Sequence, residues 1–376
     1  MEVMIVAGEA SGDGHAAELI AELSGRYPSL HFFGCGGERM AAAGCELLVQ
    51  DRELAVMGLA EVVRHLPRLR RLLDKLKTAL RQRRPAAIIL VDFPDFNLRL
   101  AATAHALGIP VIYFISPQVW AWRSGRVEQI RRHVRRMICI FPFEAEFYSR
   151  YGVEVASVGH PLVERVARAR AALSTAAGEK RIAVLPGSRQ RELDFHLPVL
   201  IEAMRRLRRT RGCDFVLPVA PHLSVESIRA QLPEEVREGV RLLPAGGTYA
   251  ALSQARVALV ASGTATVETA LLGVPMVVFY RLSGLSYWLG RRLVRTPQVA
   301  MVNLVAGRKL VPELIQKEFT AEALSCWAER LLADGAERQA QIEGLAEMRG
   351  KLGPPGAIAR AAEAVGEVMG LALKRT

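Results

Sequence analysis

The chain has 376 residues, of which 51% are hydrophobic and 23% charged, a composition typical of folded rather than disordered proteins. Its formal net charge of +12 calls for a polyanionic partner, and no apolar run approaches the roughly 20 residues that a membrane-spanning helix needs. The five cysteines are scattered and the eight histidines show no metal-binding spacing, so we expect no disulfide framework, no metal site and no cofactor.

The first residues lead straight into a predicted strand without the features of a secretion signal, and we expect a cytoplasmic protein. Short apolar runs then alternate with helical patterns along both halves of the chain. Strands are predicted at 3–7, 31–33, 87–91, 111–115, 137–141 and 155–158, and in the second half at 182–185, 215–219, 240–243, 257–260 and 276–279. This alternation predicts parallel sheets that pack between helices.

We therefore predict an α/β fold with two Rossmann-like domains, at 1–168 and 178–345. A helical tail at 346–376 follows, and the sequence does not give its position. Two such domains leave an interdomain cleft at the carboxyl ends of their strands, where ligands bind in parallel sheets. The polar loops that follow the strands are the candidate sites.

The first strand ends in a loop of small residues that contains Gly8, Glu9, Ser11, Gly12 and Asp13. Backbone N–H groups and the Ser11 hydroxyl suit a sugar or its phosphate. The alternative is a simple turn in which Asp13 caps a helix that begins near residue 14. Glu9 and Asp13 are the residues that this alternative explains less well.

Two basic segments account for much of the positive charge. Residues 64–84 hold nine Lys or Arg and one acid, interleaved with leucines at 66, 69, 72, 73 and 76, and residues 123–136 hold six Arg and one acid. Both segments fit helices that lie on anionic lipid. Nucleic acid attracts the same charge, and a solvated helix face is the simplest alternative.

Asp92 follows the most apolar strand of the first half directly, and Asp95 and Asn97 come soon after it. A carboxylate at the carboxyl end of a strand is placed to act as a general base, which typically contributes roughly 10²–10⁴-fold to a rate. We assign that role to Asp92 and expect Asp95 to cap the next helix. The following loop exposes Trp120 and Trp122, which suit a sugar face or an acyl chain but equally suit packing under the basic helix.

Two loops of the second half suit a diphosphate. Gly187, Ser188 and Arg189 follow a strand, and the arginine can grip a diphosphate through a bidentate fork. The other loop, at Ser262, Gly263 and Thr264, joins a strand to a helix N-terminus, where free N–H groups and the helix dipole favour an anion. Glu268 lies about one turn into that helix and can accept the ribose hydroxyls. Asn303 precedes an apolar stretch and is expected to face the cleft.

Taken together, these stretches resemble the lipid-A-disaccharide synthase family. The residues that carry the resemblance occur in order along most of the chain, at 8–13, 55–58, 92–97, 116–123, 185–189, 262–268 and 303–308. The resemblance implies a glycosyltransferase of the GT-B type that joins UDP-2,3-diacylglucosamine to 2,3-diacylglucosamine 1-phosphate. It implies a β(1→6) linkage, inversion at the anomeric carbon, release of UDP and no need for a metal.

By the same resemblance, Asp92 matches an acidic position associated with activity, and Arg189 and Asn303 match positions linked to UDP-sugar use. Because both substrates carry acyl chains, we expect peripheral association with the inner face of the cytoplasmic membrane through the basic segments, and no nucleic-acid partner. A homodimer is compatible with the sequence, which does not fix the oligomeric state. Whether Asp92 or Asp13 is the base is left open.

Two other functions compete with this one. A UDP-sugar epimerase, or a different UDP-sugar transferase on the same plan, would keep the roles of Arg189 and Glu268 without needing a basic surface. UDP release that depends on a lipid acceptor separates these enzymes from the synthase. A non-catalytic lipid or nucleic-acid binder is the third hypothesis, and salt-sensitive binding to duplex DNA that is as tight as binding to anionic vesicles would support it.

Overall fold

The computed structural model describes residues 1–54, 59–117, 119, 124–173, 178–221, 223–282, 284 and 298–371. The chain divides into two compact units, one formed by Met1–Pro161 with the segment that begins at Pro354, and the other by Leu162–Gly353. The predicted Trp120 and Trp122 contacts, and the family-like stretch at 55–58, lie outside the described residues.

The first unit is built on a seven-stranded parallel sheet with the order β3-β2-β1-β4-β5-β6-β7. The strands are β1 (Glu2–Ala7), β2 (His31–Gly36), β3 (Cys45–Gln50), β4 (Ala87–Val91), β5 (Val111–Phe114), β6 (Arg136–Cys139) and β7 (Val155–Ser157). The helices are α1 (Ala10–Arg26), α2 (Glu38–Ala42), α3 (Asp51–Leu54), α4 (Leu59–Arg83), α5 (Pro94–Ala106), α6 (Val127–His133), which follows a 3₁₀ turn at Ser124–Arg126, and α7 (Pro142–Arg150).

The second unit has a six-stranded parallel sheet with the order β10-β9-β8-β11-β12-β13. Its strands are β8 (Arg181–Leu185), β9 (Asp214–Pro218), β10 (Val240–Leu243), β11 (Val257–Ala261), β12 (Met276–Tyr280) and β13 (Glu313–Ile315). Its helices are α8 (Leu162–Ala172), α9 (Gln190–Arg211), α10 (Val225–Gln231), α11 (Glu234–Arg237), α12 (Thr248–Ser253), α13 (Thr264–Leu272), α14 (Met301–Ala306), α15 (Ala321–Leu332), which follows a 3₁₀ turn at Gln316–Glu318, and α16 (Ala336–Lys351).

In each unit the central strands are apolar along their whole length. Every residue of β4 and of β11 is buried, and each sheet has its own hydrophobic core. Strands covered by helices on both faces read as continuous apolar runs, because neither face meets water. Both sheets are therefore of the doubly wound, Rossmann-like type, with the strand order reversing at β1/β4 and at β8/β11.

The unit boundaries differ from those we expected. The first change of unit falls at Pro161–Leu162 rather than between 168 and 178, since α8 packs against α13. Residues 346–376 do not form one tail: α16 extends through their first residues within the second unit. The last described helix, α17 (Ala357–Met369), returns to the first unit and packs on α1.

The leucines of the first basic segment have a different role from the expected one. Leu73 and Leu76 on α4 are buried in the core of the first unit, and Leu69 and Leu72 pack against it. The amphipathic pattern that we read as lipid-facing therefore attaches the helix to its own sheet. Among the helices in the described part of the chain, none is both long and apolar enough to cross a bilayer.

Candidate functional site

In the first unit, two predicted loops leave β1 and β4 side by side. Ala7 and Val91 are paired in the sheet, so Gly8 and Asp92 begin neighbouring loops at its carboxyl edge. A Cβ atom on Gly8 would lie 2.5 Å from Cδ1 of Phe93, which leaves no room for a larger residue. Ligands of doubly wound sheets bind at this switch point.

Asp92 occupies an unusual backbone conformation that its neighbours impose. Asp92 and Phe93 both have φ of 47°, in the left-handed region that costs a non-glycine residue about 1–2 kcal/mol. Nδ2 of the buried Asn97 donates to the carbonyl oxygens of Val91 at 3.2 Å and of Asp92 at 2.7 Å. Oη of Tyr113 also donates to the Asp92 carbonyl. The loop therefore holds the Asp92 side chain, half-buried, at the edge of the sheet.

The surroundings of Asp92 suit a general base. Burial raises the pKa of its carboxyl group to about 6, and the negative charge of Glu9 adds to the rise, while a hydrogen bond from the Phe93 main chain opposes it. Glu9 is exposed and precedes the first turn of α1. A carboxylate with a pKa near the working pH is ionised and still basic enough to take a proton in a transition state.

The remaining first-loop residues are arranged differently from the prediction. The helix α1 begins at Ala10 rather than near Gly14, so the loop consists of residues 8–9 only. Ser11 and Gly12 lie in the first turn of the helix, with Ser11 exposed and Gly12 buried. Of these two, only Ser11 therefore has a side chain exposed for a sugar or phosphate contact.

Asp13 has a structural role. It is 5% exposed, and its carboxylate accepts hydrogen bonds from the main-chain N–H groups of Gly37 at 2.7 Å, Arg39 at 3.2 Å and Met40 at 3.1 Å. These bonds cap the N-terminus of α2, where orphan N–H groups need acceptors. Amides of the protein thus engage both oxygens of Asp13, and the expectation that it meets a ligand or serves as the base stays a prediction.

In the second unit, the carboxylate of Glu192 accepts hydrogen bonds from the main chain of the loop after β8. Gly187 has φ of 118°, and a Cβ atom there would lie 2.4 Å from Oε2 of Glu192. The same oxygen accepts hydrogen bonds from the N–H groups of Ser188 at 2.8 Å and Arg189 at 3.2 Å. The exposed side chains of Ser188 and Arg189, rather than these N–H groups, are what the loop presents to a ligand.

The loop after β11 differs in leaving its helix N-terminus uncapped. Ser262 donates its N–H to the Phe279 carbonyl at 2.9 Å, while Gly263 and Thr264 are exposed, and the N-cap residue of α13, Gly263, has no side chain to cap it. Because β8 and β11 are paired, this helix end lies next to the loop that carries Arg189. N–H groups and the positive end of a helix dipole at a switch point suit a diphosphate.

Glu268 lies on α13, one turn beyond the uncapped end. Its Oε1 accepts a hydrogen bond from Oη of Tyr249 at 2.8 Å. Burial raises the pKa of Glu268, while this hydrogen bond and the charge of Arg165 oppose the rise. The structure therefore brings Ser262, Glu268 and the loop of Arg189 to one edge of the sheet, as the sequence predicts.

Asn303 is hydrogen-bonded within the second unit. It is fully buried, Nδ2 donates to Val311 O at 3.0 Å and to Glu313 Oε1 at 2.7 Å, and Oδ1 accepts from the N–H groups of Leu310 and Val311. An amide side chain has two donors and two acceptor sites, and all are used here. In this structure the turn before β13 and Glu313, the first residue of that strand, take the whole hydrogen-bonding capacity of Asn303, so its expected contact with a UDP-sugar stays a prediction.

Three of the residues that shape these loops were not assigned those roles from the sequence. Glu192 closes the Gly187 loop, Tyr113 fixes the carbonyl of Asp92, and Glu313 accepts the N–H groups of Val299 and Ala300, each at 3.0 Å. Only Glu192 gives a signal, since a glutamate three residues after a helix N-cap is half of a capping box. Across the described residues, no group of three or more His, Cys, Asp or Glu is arranged to hold a metal ion.

The buried side chain of His196 is hydrogen-bonded to the main chain of Pro186, next to Gly187. Its Nε2 accepts the Arg281 N–H at 3.0 Å and its Nδ1 lies 2.7 Å from the carbonyl oxygen of Pro186. An acceptor at Nε2 requires the proton on Nδ1, so the ring is a neutral tautomer that donates to Pro186. Burial lowers the pKa of His196, in agreement with that state.

Known proteins match both the sequence and the fold. The model of one family, described as lipid-A-disaccharide synthetase, matches residues 3–357. A lipid-A-disaccharide synthase from Myxococcus xanthus is 46% identical over 376 residues, covering 98% of this chain and 97% of that protein. One from Anaeromyxobacter dehalogenans is 48% identical over 374 residues, with the same coverage.

Solved structures with far lower identity share the architecture. A UDP-GlcNAc 2-epimerase from Neisseria meningitidis, bound to UDP-GlcNAc, has a TM-score of 0.67 at 13% identity and covers 98% of this chain and 100% of that chain. The calicheamicin glycosyltransferase CalG4 has a TM-score of 0.65 at 17% identity and covers 98% of each. These likenesses show the GT-B fold alone, with its two Rossmann-like domains.

Proposed function

This chain belongs to the lipid-A-disaccharide synthetase family, and from that premise we propose how its residues carry out the reaction. The chain is a UDP-sugar-dependent glycosyltransferase of lipid A biosynthesis. It joins UDP-2,3-diacylglucosamine to 2,3-diacylglucosamine 1-phosphate and forms the β(1→6) disaccharide 1-phosphate and UDP. The assignments to individual residues below are our proposals.

Asp92 is the general base in this proposal. The 6-hydroxyl oxygen of the acceptor attacks C1 of the donor, the bond from C1 to the UDP oxygen breaks with inversion, and the hydroxyl proton passes to the Asp92 carboxylate. Two observations support the role: Asn97 and Tyr113 hold the main-chain carbonyl of Asp92 at the switch point, and burial raises the pKa of its carboxyl group to about 6. Ser11 and Glu9, in the adjacent first turn and loop, are the candidates for acceptor contacts.

The donor diphosphate is assigned to the switch point of the second unit. The uncapped N-terminus of α13, at Gly263 and Thr264, and the side chains of Ser188 and Arg189 supply positive potential and hydrogen bonds where charge builds on the leaving UDP. Glu268 is assigned to the ribose. Because these groups can stabilise the diphosphate, we propose that the transfer proceeds without a metal ion.

We propose that the protein acts from the cytoplasm at the inner face of the membrane, because both substrates carry acyl chains. The basic face of α4 is the candidate docking surface, since Arg70, Arg71 and Arg81 on it are exposed. The second basic segment is largely neutralised by ion pairs, which are Arg126–Asp95, Arg131–Glu128, Arg132–Glu128, Arg136–Glu154 and Arg136–Glu367.

Vesicle flotation with a matched pair of double variants tests this surface. Arg70→Glu with Arg71→Glu should reduce binding to anionic vesicles by roughly 2 kcal/mol or more, since each basic residue near such a surface contributes roughly 1 kcal/mol. Arg131→Glu with Arg132→Glu changes the same charge on α6 and should have a much smaller effect. Equal losses in the two variants would contradict the assignment to α4.

The reaction itself is tested by measuring UDP release from UDP-2,3-diacylglucosamine in detergent micelles that contain EDTA, with and without 2,3-diacylglucosamine 1-phosphate. We expect release only when the acceptor is present, and at the same rate with EDTA as without it. Release that needs no acceptor would favour an epimerase or a hydrolase. Loss of activity in EDTA, with recovery on adding Mg²⁺, would refute the proposed metal independence but not the transfer reaction.

A further inference from the structure

A cavity of about 220 Å³ lies in the second unit, away from the proposed donor site. It is lined by Glu179, Arg256 and Pro275, which come just before β8, β11 and β12. These three strands are neighbours in a parallel sheet, so the cavity lies at their amino ends. The loops of Arg189 and Gly263 leave the carboxyl ends of the same sheet, on the opposite edge.

Arginine side chains dominate the charge around this cavity. Arg170, Arg256 and Arg338 line it. Arg349 is adjacent, because a Cβ atom on Gly273 in the cavity wall would lie 3.1 Å from its Nη2. Among the described residues, Glu179 is the carboxylate in the lining, and Asp334 pairs with both Arg256 and Arg338. Four guanidinium groups therefore exceed the negative charge available to them.

Two of these arginines are held in place by main-chain carbonyls. Nε of Arg256 donates to Leu332 O at 2.8 Å, and Nη1 of Arg338 donates to Arg256 O at 3.0 Å and Leu331 O at 2.9 Å. Such groups are fixed before a ligand arrives, so a bound anion would not have to order them.

Arg349 is different, since its buried Nε has no hydrogen-bond partner in the part of the chain that the structure describes. The end of α13 does not satisfy it, although helix C-termini attract cations. There the carbonyls of Ala270 and Thr269 accept hydrogen bonds from the N–H groups of Gly273 and Val274. A buried charged donor left without an acceptor is costly, and an anion in the cavity would offset that cost.

The charges of neighbouring arginines act in the same direction. Burial and the charge of Arg256 lower the pKa of Arg338, and burial and the charge of Arg170 lower the pKa of Arg349. Burial is the larger cause of both shifts, and the charge of Asp334 opposes the shift at Arg338. A bound anion would reduce the repulsion between the arginines. We therefore expect the affinity of the cavity for an anion to depend on all four guanidinium groups.

We propose that this cavity binds a compact phosphate-bearing anion. Phosphate presents several oxygens to donors that approach from different directions, and guanidinium groups bind it through paired hydrogen bonds. Because the cavity and the proposed donor site occupy opposite edges of the sheet, both can be filled at once. The proposal does not depend on the catalytic assignments.

Thermal unfolding with inorganic phosphate, against chloride at matched ionic strength, tests this site. Phosphate should raise the Tm of the wild-type protein in a saturable way, because a ligand stabilises the state that binds it. Arg349→Gln should raise the apparent Kd for phosphate by about tenfold or more, because the variant loses one charge-assisted hydrogen bond to the anion. Arg170→Gln, at an exposed position, is the second variant should Arg349→Gln fail to fold.

Arg189→Gln provides the matched control, since it alters the proposed donor site alone. It should weaken stabilisation by UDP and leave the effect of Arg349→Gln on the phosphate response unchanged, whereas Arg349→Gln should weaken the phosphate response and leave stabilisation by UDP unchanged. Water-soluble dihexanoyl phosphatidic acid identifies the source: protection by it but not by phosphate would assign the site to a lipid headgroup. A phosphate response that neither Arg349→Gln nor Arg170→Gln weakens, or no response to either anion, would overturn the proposal.

Discussion

The side-chain amide of Asn97 donates to the main-chain carbonyl of Asp92 at 2.7 Å, so the proposed base is fixed through its backbone rather than through its carboxylate. Because the carboxylate itself is left for chemistry, the same arrangement holds the residue and keeps it reactive. Asn97 is fully buried, which makes this support rigid. Asn97 is a positioning residue by this argument.

Replacing Asn97 tests that support. Asn97→Ala removes two donated hydrogen bonds inside the protein and should lower the unfolding free energy by about 1–3 kcal/mol. It should also lower kcat more than it raises KM for either substrate, because the carboxylate of Asp92 is displaced. Denaturant unfolding and steady-state kinetics measure the two effects, and a stable variant with wild-type kcat would show that Asn97 does not position the base.

The pH dependence of activity tests the proposed base and its neighbour. Since Asp92 must be ionised to accept a proton and its pKa is raised to about 6, kcat/KM should fall as the pH drops through about 6. Glu9→Gln removes a negative charge that raises this pKa, so the acidic limb should move to lower pH. Asp92→Asn should reduce kcat by roughly 10²–10⁴-fold. A limb that Glu9→Gln leaves in place would argue against Asp92 as its origin.

Asp13 and Asp92 should give opposite results when each becomes asparagine. Asp13→Asn weakens the cap on α2 and should lower the unfolding free energy by about 1–3 kcal/mol, while a folded fraction retains its kcat. Asp92→Asn should leave stability near or above that of the wild type and remove activity. Chemical denaturation with activity normalised to folded protein separates the two. Loss of kcat in a fully folded Asp13→Asn variant would reopen its role as the base.

His196 should make stability fall in mild acid. Burial lowers its pKa in the folded protein, so the folded state binds fewer protons than the unfolded chain below the ordinary histidine pKa of about 6.5. The contribution of His196 to the free energy of unfolding is therefore complete above about pH 6.5 and is lost as the pH falls below that value. The free-energy difference between wild type and His196→Asn should shrink from pH 7.5 to pH 5.5. A difference independent of pH would exclude this coupling.

The positions of the loops could be predicted from the sequence, but the direction of their side chains could not. Apolar runs such as β4 end sharply at small or polar residues, and that contrast locates Asp92 and Ser262 at strand ends. The sequence pattern around a polar residue near such a loop is the same whether its side chain contacts a ligand or a main-chain amide far away in the chain. Asp13 binds N–H groups 24 to 27 residues away, and no local pattern reports such contacts.

Two of the four edge strands, β3 and β13, are absent from the predicted set, whereas β7 and β10 are in it. β3 includes Glu46 and Gln50, and β13 has three residues. Polar residues in β3 and the shortness of β13 leave neither strand with an apolar run that stands out from the flanking loops. Asn303 illustrates the consequence, since its partners belong to the turn before β13 that the sequence did not reveal.

The return of α17 to the first unit has a consequence for synthesis on the ribosome. Arg360 on this helix donates to the carbonyl of Val158 through Nε at 2.9 Å and Nη2 at 2.7 Å, and Gly366 packs against the ring of Tyr27. The first unit is thus completed by residues translated after the whole of the second. While the ribosome is still elongating the chain, the nascent first unit lacks α17, and the surface of α1 on which that helix packs is uncovered.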